Sequence, residues 1–326
     1  MNKQETKTIR WGIIGLGHIA HKFSKDLATI EGAELYAVAS RNQEKATAFA
    51  EEFQVTKAYG SYDLLVKNPA IDAVYIATPN SFHKEHTILC LRHKKAVLCE
   101  KPFAMNLLEV KEMISIAKEN NTLLMEALWT YFLPHFQYII NLIKNENFGK
   151  LLLLEADFGF QPVQNFNSRV LSKEVGGGSL LDIGIYPVFA ALSTLGVPNT
   201  IESEAIFFEN GVDSACNIVF NYNNAKAILK STFLEETPSE AIFTCEKGII
   251  KLQKRFHQPT SVILIQGEKE KRIDFNVQTF GYNFEIEHFN QLLRENKKES
   301  DIMTYSFSAK LITTLDKIRK QINLNY

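Results

Sequence analysis

Residues 8–127 alternate short apolar runs with stretches whose apolar positions recur every three to four residues. Residues 9–16, 35–40, 73–77, 96–99 and 123–127 have the near-continuous apolar character of strands covered on both faces. Between them, residues 20–30, 43–53, 81–93 and 107–120 carry the one-sided spacing of helices packed on a core. Strands alternating with helices predict a parallel, doubly wound sheet with right-handed crossovers.

Beyond about residue 128 the rhythm changes. A helix is expected at 134–144, a strand at 151–160, then a polar loop and a glycine run (Gly176, Gly177, Gly178) leading into a helix at 180–193. Strand-like runs follow at 201–208, 216–222, 227–233, 249–252, 262–265 and 272–275. Consecutive strands on short links predict a largely antiparallel sheet. Helices at 283–295 and 306–321 complete the pattern. The expected fold class is therefore α/β: a Rossmann-type domain over 1–127, then an α+β domain with a largely antiparallel open sheet over 128–326. A chain of 326 residues fits two domains, and neither an internal repeat nor a low-complexity tract interrupts it.

Charge narrows the function classes. Lys plus Arg number 36 against 37 for Asp plus Glu, which argues against a nucleic-acid or membrane-surface protein. No stretch reads as a bilayer-crossing segment, and residues 1–10 lack the apolar run of a signal peptide. Cys90, Cys99, Cys216 and Cys245 are widely spaced, so neither a zinc knuckle nor a disulfide framework is expected, and the cytoplasm is the expected compartment. His18/His21 and His83/His86 have a spacing that suits chelation on a helix, but no third ligand accompanies either pair, so no metal is expected.

The first strand runs into Gly15-Leu16-Gly17-His18-Ile19-Ala20, a G-x-G-x-x-A at the start of a helix. Gly15 suits the tight turn, Gly17 lets the backbone approach a pyrophosphate, and Ala20 is small enough for close helix–sheet packing. The free N–H groups and dipole of the helix N-terminus favour an anion there. The second strand ends in Ala39-Ser40-Arg41-Asn42, without the carboxylate that usually accepts from the ribose hydroxyls of NAD. Ser40 can donate to a 2′-phosphate and Arg41 can pair with it through its planar fork, so NADP is the expected cofactor, with NAD possible.

Cys99-Glu100-Lys101-Pro102 closes a strand that follows Ala77-Thr78-Pro79-Asn80 and His83. This combination resembles the signature of the Gfo/Idh/MocA oxidoreductases, over nearly the whole chain. Residues 125–130 (MEALWT) and 176–186 (GGGSLLDIGIY) resemble the branch holding dimeric dihydrodiol dehydrogenase and NADP-dependent D-xylose dehydrogenases. In the inositol-dehydrogenase branch the position of Tyr186 is usually His, so the departure points to a Tyr–Lys pair. The resemblance also implies an unusual, cis bond at Lys101–Pro102. It places Asn80 and His83, with Glu100, at the cofactor, and Trp129, Phe160, Phe166 and Arg169 in segments that line the substrate pocket.

The chemistry of these residues agrees. Alcohol oxidation needs a base for the hydroxyl proton, and carbonyl reduction needs the corresponding acid. Lys101 stands at a strand's carboxyl end, where open α/β sheets place ligands, and Pro102 restricts it to extended backbone angles. Asp182 and Tyr186 lie four apart on an expected helix, hence on one face. An ammonium near a phenol stabilises phenolate, so Lys101 would make Tyr186 a proton relay, with Asp182 orienting either group. The expected activity is hydride transfer between NADP and a sugar, polyol, dihydrodiol or dicarbonyl substrate. An NAD-dependent inositol or sugar dehydrogenase and a non-catalytic NADP-binding sensor stay open as alternatives.

Apolar residues on both alternations of the second-domain strands predict a homodimer. Ile201, Ala205 and Phe207 share one alternation of 201–208, with Ile206 and Phe208 on the other. Cys216, Ile218, Phe220 and Tyr222 oppose Val219 in the next strand. One face would be covered by helices and the other by a partner sheet.

Overall fold

The structure, a computed structural model, describes residues 7–163, 165–166 and 168–326. Residues 1–6, part of the segment expected to carry no signal peptide, lie outside the described residues. Two compact units are present: the chain up to Trp129 with Gln278–Ala309, and Thr130–Val277 with Lys310–Tyr326.

In the first unit, β1 (Ile9–Ile14), β2 (Ala33–Ala39), β3 (Lys57–Tyr59), β4 (Ala73–Ile76), β5 (Ala96–Glu100) and β6 (Leu124–Ala127) form a parallel sheet. Its order is β3-β2-β1-β4-β5-β6, so the direction of winding reverses between β1 and β4, where such sheets bind ligands. The connecting helices are α1 (His18–Leu27), α2 (Gln43–Phe53), α3 (Tyr62–Val66), α4 (His83–Arg92) and α5 (Leu107–Glu119). Asn42 caps α2 by accepting from Lys45 N, and Asn106 caps α5 by accepting from Glu109 N. β3 and α3 are additions to the expected elements; at three and five residues they are too short to carry a periodic signal.

The second unit holds α6 (Pro134–Lys144), β7 (Leu151–Gly159) and α7 (Ile185–Leu195). Its other strands are β8 (Thr200–Phe207), β9 (Asp213–Asn221), β10 (Lys226–Thr232), β11 (Ala241–Cys245), β12 (Gly248–Leu252), β13 (Val262–Gln266) and β14 (Lys269–Ile273). The sheet order is β14-β13-β12-β11-β7-β10-β9-β8, antiparallel except where β7 pairs with β10. The final strand falls at Lys269–Ile273 rather than 272–275, because an edge strand this charged hides from an apolar pattern. A π-helical turn, Leu180–Gly184, feeds directly into α7.

Against expectation, one segment does satisfy the length and hydropathy of a bilayer span, Lys173–Leu195 at mean hydropathy 1.5. Its apolar window is 94% buried within the protein, so the apolarity serves packing.

The domain boundary also needs correction. The expected second domain included 278–309, but α8 (Tyr282–Arg294) belongs to the first unit. Trp11 packs on Phe289 with ring centroids 5.1 Å apart and donates to Asn290 Oδ1, while Asp26 accepts from the backbone of Phe280 and Tyr282. Burying these aromatic faces against α1 and β1 outweighs sequence proximity. A last helix, α9 (Tyr305–Gln321), follows.

Candidate active site

The residues expected to hold the cofactor stand along the carboxyl edge of the first unit's sheet, where β1, β2, β4 and β5 lie in register. Gly15 has φ +90, and a Cβ there would lie 2.6 Å from the Ala77 carbonyl carbon, so only glycine lets this loop close on the end of β4. Gly17 begins α1 with no side-chain cap, and a Cβ on it would meet nothing within 4 Å. No protein neighbour requires the second glycine, and the α1 N–H groups are left for an anion. These residues fit a dinucleotide. His18 is exposed and Ile19 half-buried in the first turn, and Ala20 is fully buried against the sheet.

At the end of β2, Ser40 donates its backbone N–H to Tyr59 O, and its hydroxyl accepts from Asn42 N. The exposed Arg41 guanidinium lies 5.7 Å above the Phe82 ring and is hydrogen-bonded to Tyr62. Beside it His86, whose Nδ1 lies 3.0 Å from Thr78 Oγ1, is pushed down to about 4 by burial and by the charge of Arg41, so it is neutral at physiological pH. Arg41 thus carries its charge at the end of β2, supported by Phe82 and Tyr62.

His83 is 1% exposed, with Nε2 2.8 Å from Thr78 O and Nδ1 2.8 Å from Pro102 O. Both ring nitrogens face backbone carbonyls, so it braces the β4 and β5 end loops together. Asn80, 3% exposed, opens the 3-10 turn between Pro79 and α4. The Lys101–Pro102 bond is cis. Glu100 accepts from the Tyr75 hydroxyl through one carboxylate oxygen and from Lys101 N, at 3.2 Å, through the other. Glu126 on β6 accepts from Phe103 N and is raised to about 7, chiefly by burial. Lys101 is therefore held at its backbone by the buried Glu100.

Within the second unit, the π turn interrupts the even α spacing from which Asp182 and Tyr186 were expected to share a face. Asp182, its side chain 9% exposed, accepts from Arg169 Nη1 at 2.8 Å. Tyr186 is 5% exposed and packs against Phe158 and His257, with ring centroids at 5.8 and 5.0 Å. His257 stacks on Phe158 at 4.1 Å and was missed in the sequence, because no spacing ties a loop histidine to a helix tyrosine seventy residues earlier. Phe158, Phe160, Gln161, Lys254, Arg255 and His257 line a cavity of about 300 Å³. Phe166 instead lies edge-on to Phe208, partly exposed. Trp129 belongs to the first unit, stacked 4.4 Å from Tyr282. Among the described residues no group of three or more potential ligands gathers to hold a metal ion.

The first unit's Rossmann sheet with its open glycine loop fits a dinucleotide-binding protein, and the second unit carries an aromatic cavity. Residues 9–128 match the oxidoreductase family profile with an NAD-binding Rossmann fold, and residues 136–251 match the GFO/IDH/MocA C-terminal domain. Trans-1,2-dihydrobenzene-1,2-diol dehydrogenase of Xenopus laevis is 36% identical over 97% of this chain and 99% of its own. Scyllo-inositol 2-dehydrogenase (NADP(+)) IolU of Bacillus subtilis is 32% identical over 98% of each. Aldose-aldose oxidoreductase from Caulobacter crescentus, solved with glycerol, superposes with a TM-score of 0.89 at 22% identity, over 97% of this chain and 98% of the other. The chain belongs to the Gfo/Idh/MocA oxidoreductase family.

Proposed function

We propose that the protein is an NADP-dependent oxidoreductase that interconverts a CH–OH carbon and a carbonyl on a sugar, polyol, dihydrodiol or dicarbonyl substrate. The observation that carries this reading is the carboxyl edge of the first sheet. It combines an uncapped α1 N-terminus at Gly17, a guanidinium at Arg41 with no carboxylate at the end of β2, and Lys101 at the end of β5. The bound nicotinamide would supply or accept the hydride. Gly15, Gly17 and Ala20 seat the diphosphate, Ser40 and Arg41 take a 2′-phosphate, and the loop from Ala77 to Asn80 borders the nicotinamide end. Lys101 and Tyr186 carry the proton to or from the substrate oxygen, with Asp182 in support. Phe160 and Arg169 contact substrate, whereas the packing of Trp129 and Phe166 makes them secondary candidates.

The names of the relatives support a hydroxylated or carbonyl substrate. Four free, buried cysteines support a reducing compartment, the cytoplasm. A homodimer would form through the second sheet, where half-buried Val219, exposed Ile228 and half-buried Ile242 and Ile263 run in one cross-strand row with Glu202, Glu155, Lys251 and Arg272. Screening aldoses, inositols, dihydrodiols and dicarbonyls with NADP(H) and NAD(H), read by nicotinamide absorbance, tests the proposal. Absence of turnover with every class, despite tight dinucleotide binding, would overturn it in favour of a sensor.

A further inference from the structure

The segment bearing Asp182 and Tyr186 begins at an unusual anchor. Asp213, the first residue of β9, has no exposure, yet its Oδ2 accepts from Leu180 N at 2.7 Å and from Ser179 Oγ at 2.8 Å. Ser179 Oγ also lies 3.1 Å from Ser231 Oγ on β10. The other oxygen, Oδ1, faces Gly178, where an added Cβ would sit 2.0 Å from it. Gly178 has φ +127, so both conformation and space demand glycine at this turn. Close to the same turn, the Tyr326 hydroxyl donates to Gly177 O at 2.7 Å.

A neutral Ser or Asn would cap these N–H groups without burying a charge. Burial pushes Asp213 up to about 7, while the bonds from Leu180 and Ser179 pull the other way. The titratable groups around it are the Tyr326 phenol and the Cys216 thiol, both pushed up by burial and then by the Asp213 charge; the Arg319 guanidinium lies 5.3 Å above the Tyr326 ring. Its ionisation therefore answers to pH near neutrality and to the two donors at the start of the turn.

We infer that Asp213 is a positioning residue: its carboxylate ties the start of the Leu180–Gly184 turn to β9 and thereby sets how Asp182 and Tyr186 are presented. The inference rests on the reading that those two residues serve the reaction.

Asp213→Asn keeps an acceptor for Leu180 and Ser179 but not the charge. Ser179→Ala keeps the charge but removes a donor that favours it. In the NADP-loaded enzyme, Asp213→Asn should lower kcat by about ten- to a hundredfold with smaller effects on KM and on NADP affinity, because displacement of reacting groups is costly. Its rate should lose the limb near neutral pH, and in Ser179→Ala that limb should move to higher pH. Independently of turnover, the Tyr186 ring carbon, assigned by its loss in Tyr186→Phe, should titrate in NMR with the midpoint of the Asp213 carboxyl. Wild-type kcat and pH profile in folded Asp213→Asn, or a Tyr186 signal blind to that midpoint, overturns the inference. Should Asp213→Asn not fold, the Ser179→Ala shift and the wild-type NMR titration decide it. Full turnover in Tyr186→Phe would instead sink the relay reading itself, so the two failures are distinguishable.

Discussion

Arg169 Nη1 donates to Asp182 Oδ1 at 2.8 Å, joining a side chain 43% exposed to one 9% exposed. The arginine end is screened by solvent, so the bond stabilises the fold by only about 1 kcal/mol. Under the proposed function its weight is larger, because it fixes a buried carboxylate in the segment that leads to Tyr186. Arg169→Met should leave the melting temperature within a few degrees while lowering kcat/KM roughly tenfold. Arg169→Lys, which keeps the charge but not the fork, should recover only part of that loss. Steady-state kinetics beside thermal melts checks this; equal kcat/KM in all three proteins removes Arg169 from the site.

At the other end of the chemistry, Arg41 offers a charge with no competing carboxylate at the end of β2. NADP should bind more tightly than NAD, and Arg41→Ala should erase much of the gap, about ten- to a hundredfold for a charge-assisted contact. Titrating both dinucleotides against both proteins measures it. Equal or NAD-favouring affinity in the unmutated protein rejects NADP preference.

How far the sequence disclosed all this depends on whether a feature is local. The G-x-G-x-x-A turn, the strand ends at Arg41 and Lys101, and helices such as α2 and α6 are written in neighbouring residues, so their positions were legible. Features made by distant contacts were not. Nothing near Tyr282 or Phe289 announces that α8 packs on Trp11, and nothing near His257 announces its stacking on Phe158. The π turn at Leu180–Gly184 escaped because its apolar residues satisfy α periodicity equally well. Asp213 lies ahead of the strand expected at 216–222, and nothing in its neighbours signals that its Oδ2 meets Ser179 and Leu180 some thirty residues earlier.

Buried acids set the pH dependence of stability. Glu126 is raised to about 7, chiefly by burial, from an ordinary value near 4.5. Between those two values the folded protein holds a proton that the unfolded chain has lost, so stability is full below the lower value and falls as pH rises through the upper one. A shift of that size corresponds to roughly 3 kcal/mol at most. Asp213, raised to about 7 in the same way, adds a loss of the same sign. Glu126→Gln should melt higher than wild type at pH 8 relative to the difference at pH 5, in buffers of matched ionic strength. A flat difference across that range refutes the linkage.

The cross-strand row through Val219 and Ile228 makes assembly testable. Ile228 is 43% exposed and flanked in register by Glu155 and Val219. Ile228→Glu places a second acid beside Glu155, so in a sheet-to-sheet dimer like charges would be pressed together without water. Light scattering at micromolar concentration should show a dimer for the wild type and a shift towards monomer for the variant, with NADP binding retained. A wild type that is monomeric throughout disposes of this interface.

The relay makes the sharpest demand. Lys101 and Tyr186 are proposed to act on the substrate oxygen, so changing either should lower kcat by about 10²–10⁴-fold while leaving NADP affinity nearly intact. Lys101→Met should be the more damaging, since the proposed relay would lose both a positive charge and a donor. Tyr186→Phe preserves the ring against Phe158 and His257 and deletes only the hydroxyl, so its effect isolates the proton step. In the oxidation direction, the rate should rise with pH as the coupled pair loses its proton, and that limb should shift or vanish in either variant. Two interacting groups titrate as a unit, so the limb belongs to the pair and to neither residue alone. Asp182 is the competing candidate, but one oxygen of its carboxylate is already engaged by Arg169 Nη1 at 2.8 Å. Asp182→Asn should therefore cost less in kcat than Tyr186→Phe. The reverse order, with an unchanged pH limb in Tyr186→Phe, would move the proton step to Asp182 and leave Tyr186 a packing residue.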